Sequence, residues 1–251
     1  CRSVLLDVTT VRRYKANSSR AFYALTGCLW ILLAISIVFP SQAFADFTQV
    51  TSGSGVTATG TEIAVEDFDA DGDLDFTTSD HTNQRVYSNN GDLTFAEVAP
   101  ALGLTATEMQ YTTWGDYDND GDIDIAFGRK GSAFQVHIFR NDAGTFTEAI
   151  VFSTVQIARI SWVDFDLDGD LDMFAGYIFS TSFELHRNNL KETGSATFTN
   201  VASSTGVSGL DAGGSTVGSI SWADIDNDGD PDAYVATRPG RDKLLLNQLK
   251  E

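Results

Sequence analysis

One nine-residue acidic string occurs four times in this chain: DFDADGDLD from Asp67, DYDNDGDID from Asp116, DFDLDGDLD from Asp164 and DIDNDGDPD from Asp224. Each reads D-x-D-x-D-G-D-x-D, and this spacing restricts what the surrounding backbone can be. Aspartates at alternate positions of a tight loop turn their oxygens toward one centre, and hard Ca²⁺ takes six to eight oxygens at about 2.3–2.6 Å from carboxylates, backbone carbonyls and water. The glycine at position 6 (Gly72, Gly121, Gly169, Gly229) allows a turn that a Cβ would obstruct. The expected ligands are the side chains at positions 1, 3, 5 and 9 and the main-chain carbonyl at position 7. The candidate residues are therefore Asp67, Asp69, Asp71, Asp73 and Asp75; Asp116, Asp118, Asp120, Asp122 and Asp124; Asp164, Asp166, Asp168, Asp170 and Asp172; and Asp224, Asp226, Asp228, Asp230 and Asp232. About one Ca²⁺ per loop is expected, four in total. A merely acidic surface turn would explain one copy but not four at the same internal phase.

The flanks decide which kind of calcium loop this is. An EF-hand places a bidentate Glu at position 12 between two helices. Here position 12 is Thr78, Phe127, Ala175 and Val235. The segments before the loops (TEIAVEDF, YTTWGDY, RISWVDF, SISWADI) and after them (LDFTTS, IDIAFG, LDMFAG, PDAYVA) are short, β-branched and aromatic. They lack a 3.6-residue period and read as strands. Each loop (67–75, 116–124, 164–172, 224–232) thus joins two strands of a hairpin, and the EF-hand is excluded.

Residues 1–45 read as a secretory leader. Arg12, Arg13, Lys15 and Arg20 precede the apolar run Ala24–Phe39, and Pro40 and Ala43-Phe44-Ala45 then give a small-x-small cleavage pattern. Two other readings of this segment are an uncleaved anchor, since the apolar stretch nearly reaches spanning length, and a lipidation box at Leu25-Thr26-Gly27-Cys28. The chain opens at Cys1 without Met and stops at Glu251, from which a fragment is expected. Both cysteines, Cys1 and Cys28, lie in the leader. An exported domain over 46–251 would then have no disulfide, and calcium is expected to take the stapling role. Secretion or display at the cell surface follows from the leader.

The net charge of −19 has a local origin. Of the 35 acidic residues, twenty sit in the four loops, so the acidity is that of metal sites and not of the surface in general. No basic stripe is present to neutralise phosphates, and nucleic acid is not expected as a partner.

Loop spacings of 49, 48 and 60 residues lie in the range of propeller blades. Further columns align: Val65, Trp114, Trp162 and Trp222 two residues before each loop; Asn89, Asn141, Asn188 and Asn247 ending a third strand; and LTFAEV, GTFTEA and ATFTNV as a fourth. Each unit is four antiparallel strands with no helical pattern over 46–251, which is an all-β β-propeller with four blades visible. The segment DFTQVTSGSGV matches the fourth-strand column through Phe47, Val50 and Gly55, and the chain ends after a third strand. The expectation is that the N-terminal strand completes the last blade, removing exposed edges. The repeated aromatic column is expected to pack between blades.

On these loops and the N-x(3–9)-T-F-x-x-V/A tails of the first three units, the chain resembles the FG-GAP/VCBS repeat family, best known from the propeller of integrin α subunits. The resemblance implies that the loop joins the first two strands of each blade and binds Ca²⁺. Most FG and GAP dipeptides are eroded, with Phe127-Gly128 the clearest survivor. Relatives usually have about seven blades, so this is either a fragment of a larger propeller or a small four-bladed ring.

Catalysis is not expected. His81, His137 and His186 occupy different columns, and carboxylates held ionised by a cation are unsuited to proton transfer. The expected function is recognition of a protein or carbohydrate ligand, as in adhesion. The face opposite the calcium loops would carry it, through Ser79–Gln84, Arg129–Ala133, Phe179–Ser182, Thr237–Arg241 and the blade-to-blade segments. The alternative is the non-catalytic propeller portion of a secreted polysaccharide-active enzyme.

Overall fold

The computed structural model describes residues 49–50, 52–80, 82–104, 108–129, 134–153, 157–177, 183–207, 216–238 and 242–249, all within the unit Thr48–Glu251. The leader read over 1–45 lies outside them. Alternating β-branched and aromatic residues form four successive antiparallel sheets. The first blade is β1 (Glu62–Glu66), β2 (Asp75–Ser79), β3 (Gln84–Asn89) and β4 (Phe95–Glu97). The second is β5 (Met109–Gly115), β6 (Asp124–Arg129), β7 (Gln135–Asp142) and β8 (Thr145–Ser153). The third is β9 (Ile157–Val163), β10 (Asp172–Tyr177), β11 (Phe183–Asn188) and β12 (Phe198–Asn200). The fourth is β13 (Thr216–Ala223), β14 (Asp232–Arg238) and β15 (Lys243–Leu245). Within each sheet the strands lie in chain order, and the first strands are neighbours, β1 beside β5, β5 beside β9 and β9 beside β13. The fold is a β-propeller of four blades.

Every acidic loop is held by the same register pair, the residue before position 1 against position 9: Glu66 with Asp75, Gly115 with Asp124, Val163 with Asp172 and Ala223 with Asp232. The four acidic-loop hairpins are therefore superimposable in register.

The core lies in the seams between blades, one apolar cluster per seam. In the first seam Phe68 stacks on Trp114 at 5.5 Å, and Phe146 from the fourth strand closes edge-on against both. In the second seam Tyr117 stacks on Trp162 at 6.2 Å, with Phe198 alongside. The aromatic column is thus inter-blade packing. The approach is close: a Cβ on Gly115 would sit 2.7 Å from Leu171 Cδ1 and 2.9 Å from Trp162 Cδ1. In the third seam Trp222 meets Phe174 edge-on and donates from Nε1 to Ser161 Oγ at 3.2 Å.

Two details differ from the sequence expectation. One helical turn, α1 (Leu190–Thr193), replaces the tight turn between β11 and β12. Leu-Lys-Glu are good helix formers, and Gly194, at φ 72°, supplies the left-handed C-terminal cap. The last blade has three strands among the described residues. Where Phe146 and Phe198 fill the first two seams, a cavity of about 430 Å³ remains between Phe165, Trp222 and Leu245. The N-terminal strand expected there turns on Phe47, outside the described residues. The following segment does lie where the repeat requires it, Phe95 N donating to Ser54 O at 2.7 Å. No helix among the described residues is long and apolar enough to cross a membrane.

Candidate metal centres

The four aspartate loops have one hydrogen-bond plan. The carboxylate at position 1 accepts from the backbone N–H groups of positions 5 and 6. In the second loop Asp120 N reaches Asp116 Oδ1 at 3.1 Å and Gly121 N reaches Oδ2 at 3.0 Å. The same pair recurs on Asp67, Asp164 and Asp224. The position 5 carboxylate accepts from the N–H of position 7, as in Asp73 N to Asp71 Oδ1 at 2.9 Å. The backbone is left-handed at position 6, as expected for glycine, and also at position 4, where Ala70, Asn119, Leu167 and Asn227 have φ of 57–64°. For Ala and Leu that conformation is disfavoured, and the hydrogen bonds on either side hold it.

The twenty aspartates divide into different roles. Those at position 9 (Asp75, Asp124, Asp172, Asp232) are fully buried, each 0% exposed. One oxygen accepts from the N–H of position 2 and the other from the N–H of the asparagine ending the third strand; for Asp124 these are Tyr117 N at 3.0 Å and Asn141 N at 2.8 Å. The position 9 carboxylate therefore ties loop, second strand and third strand together. Burial, followed by the neighbouring aspartates, pushes Asp75, Asp124 and Asp172 up to about 6, 7 and 8, although the two N–H donors pull in the opposite direction. Side chains at position 7 turn away to the turn after the third strand. Asp122 accepts from Ala143 N at 2.9 Å, Asp230 from Leu249 N at 2.9 Å, and Asp170 from Lys191 N and from Asn119 Nδ2.

Positions 1, 3 and 9 converge in three loops, with oxygens of Asp116, Asp118 and Asp124, of Asp164, Asp166 and Asp172, and of Asp224, Asp226 and Asp232 all within 4.8 Å of one another. In the first loop the converging set is Asp67, Asp69 and Asp71. Asp168 groups instead with Asp170 and Glu192. The buried oxygens Asp118 Oδ1, Asp166 Oδ1 and Asp168 Oδ2 accept no hydrogen bond. Desolvation and then the adjacent carboxylates raise Asp118, Asp164 and Asp166 above the usual aspartate range. Clustered, mutually repelling carboxylate oxygens, those of Asp118 and Asp166 without a hydrogen-bond partner on Oδ1, on a backbone already turned around them fit a hard divalent cation.

The asparagine column carries a role that the sequence reading missed. Asn141, Asn188 and Asn247 donate from Nδ2 to the position 2 carbonyl of the preceding blade: Phe68 O at 3.2 Å, Tyr117 O at 2.8 Å and Phe165 O at 2.6 Å. The only signal for this was the recurrence of Asn itself. His137 and His186 are both buried in strands and bonded to Glu148 and Glu184. Most of the face opposite the acidic loops, including Lys130 and Arg241, lies outside the described residues. Arg129, on that face, pairs with Glu108 at 3.0 Å.

Four register-matched strand–acidic loop–strand hairpins, stacked blade on blade, define a repeat propeller with one aspartate loop per blade. The profile of the FG-GAP-like repeat matches residues 67–127 and again residues 116–175. The chain carries FG-GAP-like repeats over residues 67–175. No curated protein matches it. Among solved structures it is similar to a lectin of Agrocybe aegerita, described by its specific recognition of non-reducing terminal N-acetylglucosamine. The likeness is 20% in identity with a TM-score of 0.42, covering 74% of this chain and 53% of the lectin. The chain thus spans about half the length of that lectin.

Proposed function

We propose that this chain is an exported, calcium-stabilised propeller module that recognises a protein or carbohydrate ligand and performs no chemistry of its own. The observation that supports this reading is the fourfold convergence of aspartate oxygens on hairpins held in one register, with buried carboxylate oxygens lacking any partner. Calcium is structural in this reading. It neutralises carboxylates whose repulsion otherwise opposes folding, and it makes the loop face rigid, so that loops on the other face are presented from a fixed scaffold. Extracellular calcium modules bind at about 10⁻⁴–10⁻³ M, so order in this protein would follow external calcium.

The test is a pair of measurements on the purified, chelator-stripped protein: calorimetric titration with CaCl₂, and thermal melts with calcium or with excess chelator. Uptake of about four ions with a calcium-reversible rise in Tm is the expected result. A melt indifferent to calcium, with no heat of binding, refutes the metal reading. Screening the calcium-loaded protein against immobilised glycans and extracellular proteins then tests recognition.

A further inference from the structure

One residue of each third strand stands beside the position 3 aspartate of its own loop. It is the residue just before the repeated asparagine: Ser88, Arg140, Arg187 and Leu246. In the first blade the contact is direct, Ser88 Oγ donating to Asp69 Oδ2 at 3.5 Å. The third strands pair with the second in one register, position 10 facing Tyr87, Phe139, His186 and Leu245. The place held by Ser88 is therefore held by a guanidinium in the second and third blades. In the fourth it is held by Leu246, which is apolar and 46% exposed.

Both arginines are held in place. Arg140 lines one groove of about 440 Å³ with Tyr117 and Asp118, between the second and third blades. Asp142 fixes its guanidinium, accepting from Nε at 3.1 Å and from Nη2 at 2.6 Å. Arg187 donates from Nη2 to Asn189 Oδ1 at 3.1 Å and pairs through Nη1 with Glu192 at 3.3 Å. Asp118 Oδ1 and Asp166 Oδ1, buried without a hydrogen-bond partner, belong to these same two loops. Burial and the neighbouring aspartates raise both carboxyls, and Arg140 and Arg187 pull them back down. The arginine charge thus reaches the oxygens on which a cation would sit.

We propose that Arg140 and Arg187 are resident cations of the second and third loops, weakening their metal sites so that calcium fills the four loops in two steps. The inference rests on the calcium reading above and goes beyond it, since that reading treats the loops as equal. Ser88 and Leu246 bring no charge to the first and fourth loops, and these fill first. In an empty second or third loop the guanidinium offsets part of the repulsion among the aspartates; once the dication is bound, it repels it. Between partly exposed charges a few ångströms apart, the effect on binding is roughly tenfold. The two weakened loops are also the pair joined directly, Asn119 Nδ2 donating to Gly169 O at 3.2 Å and to Asp170 Oδ1 at 2.9 Å. The middle of the described propeller therefore depends least on metal.

Calorimetric titration of the chelator-stripped protein with CaCl₂ tests it, on the parent chain, Arg140→Gln, Arg187→Gln and Ser88→Arg. Arg85→Gln, whose residue faces Thr78 at the far end of β3, removes the same charge away from the loops and is the control. The parent should take up about two ions in a tighter step and about two in a weaker one. Each arginine-to-glutamine variant at 140 or 187 should move one ion into the tighter step, a gain of roughly tenfold, and should lower Tm in chelator. Ser88→Arg should move one ion the other way, and Arg85→Gln should change neither step. The proposal is overturned if Arg140→Gln or Arg187→Gln binds as the parent does, or if Arg85→Gln matches their gain. A single step of four equal ions in the parent overturns it too. No uptake by the parent refutes the calcium reading itself, and this proposal with it. A melt of each variant checks its fold, and Ser88→Arg decides the matter if an arginine variant does not fold.

Discussion

Replacing Asp124 by Ala and Asp118 by Ala separates two roles that look identical in the sequence. Asp124 is fully buried and holds Tyr117 N at 3.0 Å and Asn141 N at 2.8 Å, whereas the buried Asp118 Oδ1 accepts nothing. A hydrogen bond to a charged acceptor contributes about 1.5–3 kcal/mol, so losing both from Asp124 costs about 3–6 kcal/mol whether or not metal is bound. At about 2–4 °C per kcal/mol for a domain of this size, Tm should fall by roughly 6–24 °C with chelator as well as with calcium. Asp118 behaves differently. In chelator its carboxylate is desolvated beside Asp120, so Asp118→Ala should leave Tm unchanged or raise it. With calcium the same variant should lose most of the metal-dependent rise of its loop. Paired melts followed by circular dichroism provide the comparison. If Asp118→Ala falls as far in chelator as in calcium, or if Asp124→Ala melts like the parent in chelator, the division into staple and ligand is wrong.

Two further outcomes follow. With chelator, stability should fall as pH rises: Asp75, Asp124 and Asp172 are pushed up to about 6, 7 and 8 from the ordinary 3.8, so between pH 4 and 8 the unfolded chain gives up protons that the folded one keeps. Tm should therefore drop from pH 5 to pH 8 in chelator and not do so in saturating calcium; a chelated Tm that rises over this window refutes the assignment. The second concerns the seams. Asn188→Ala removes the bond to Tyr117 O between two blades, the bond to Leu171 O and the bond accepted from Leu190 N, and should cost about 2–4 kcal/mol from the lost bonds and the carbonyls left unpaired. Asn89→Ala removes two exposed bonds within its own blade, to Leu74 O and from Gly91 N, and should cost about 1 kcal/mol or less. Equal losses in denaturant unfolding would show that the cross-blade bond has no special weight.

The hairpins, the blade count and the packing of Trp114 and Trp162 between blades were legible because each feature depends on residue type at a fixed spacing. An aspartate every second residue, a glycine at position 6 and an aromatic two residues upstream are the causes of the geometry themselves. The assignment of roles within the loop was not legible, because five identical side chains face different partners. Whether an aspartate meets N–H groups, as Asp124 does, or the turn after the third strand, as Asp122 does, depends on a strand that arrives about twenty residues later. The left-handed state of Leu167 was equally hidden. Leucine does not favour it, and only the bonds from Asp168 N and Gly169 N to Asp164 impose it. The bridge from Asn188 to Tyr117, 71 residues earlier in the chain, was visible only as a repeated letter.

Under the proposed calcium reading, that bridge ties the acidic loops and the packing of the seams into one cooperative unit. The backbone N–H of Asn188 is held by Asp172 Oδ1 at 2.7 Å, and its side chain reaches Tyr117 O in the loop of the preceding blade. Tyr117 N is in turn held by Asp124 in that loop, and the Tyr117 ring stacks on Trp162, two residues before Asp164. Any cation that fixes Asp172 therefore fixes the asparagine that grips the neighbouring loop, and that loop sets the ring against which the next inner strand packs. The same links recur from Asp124 through Asn141 to Phe68, and from Asp232 through Asn247 to Phe165. Removing calcium from one loop should consequently weaken its own blade and the seam behind it, so the blades should melt together and not one by one. A calcium titration that moves a single cooperative transition, without splitting it into steps, is the behaviour this wiring requires.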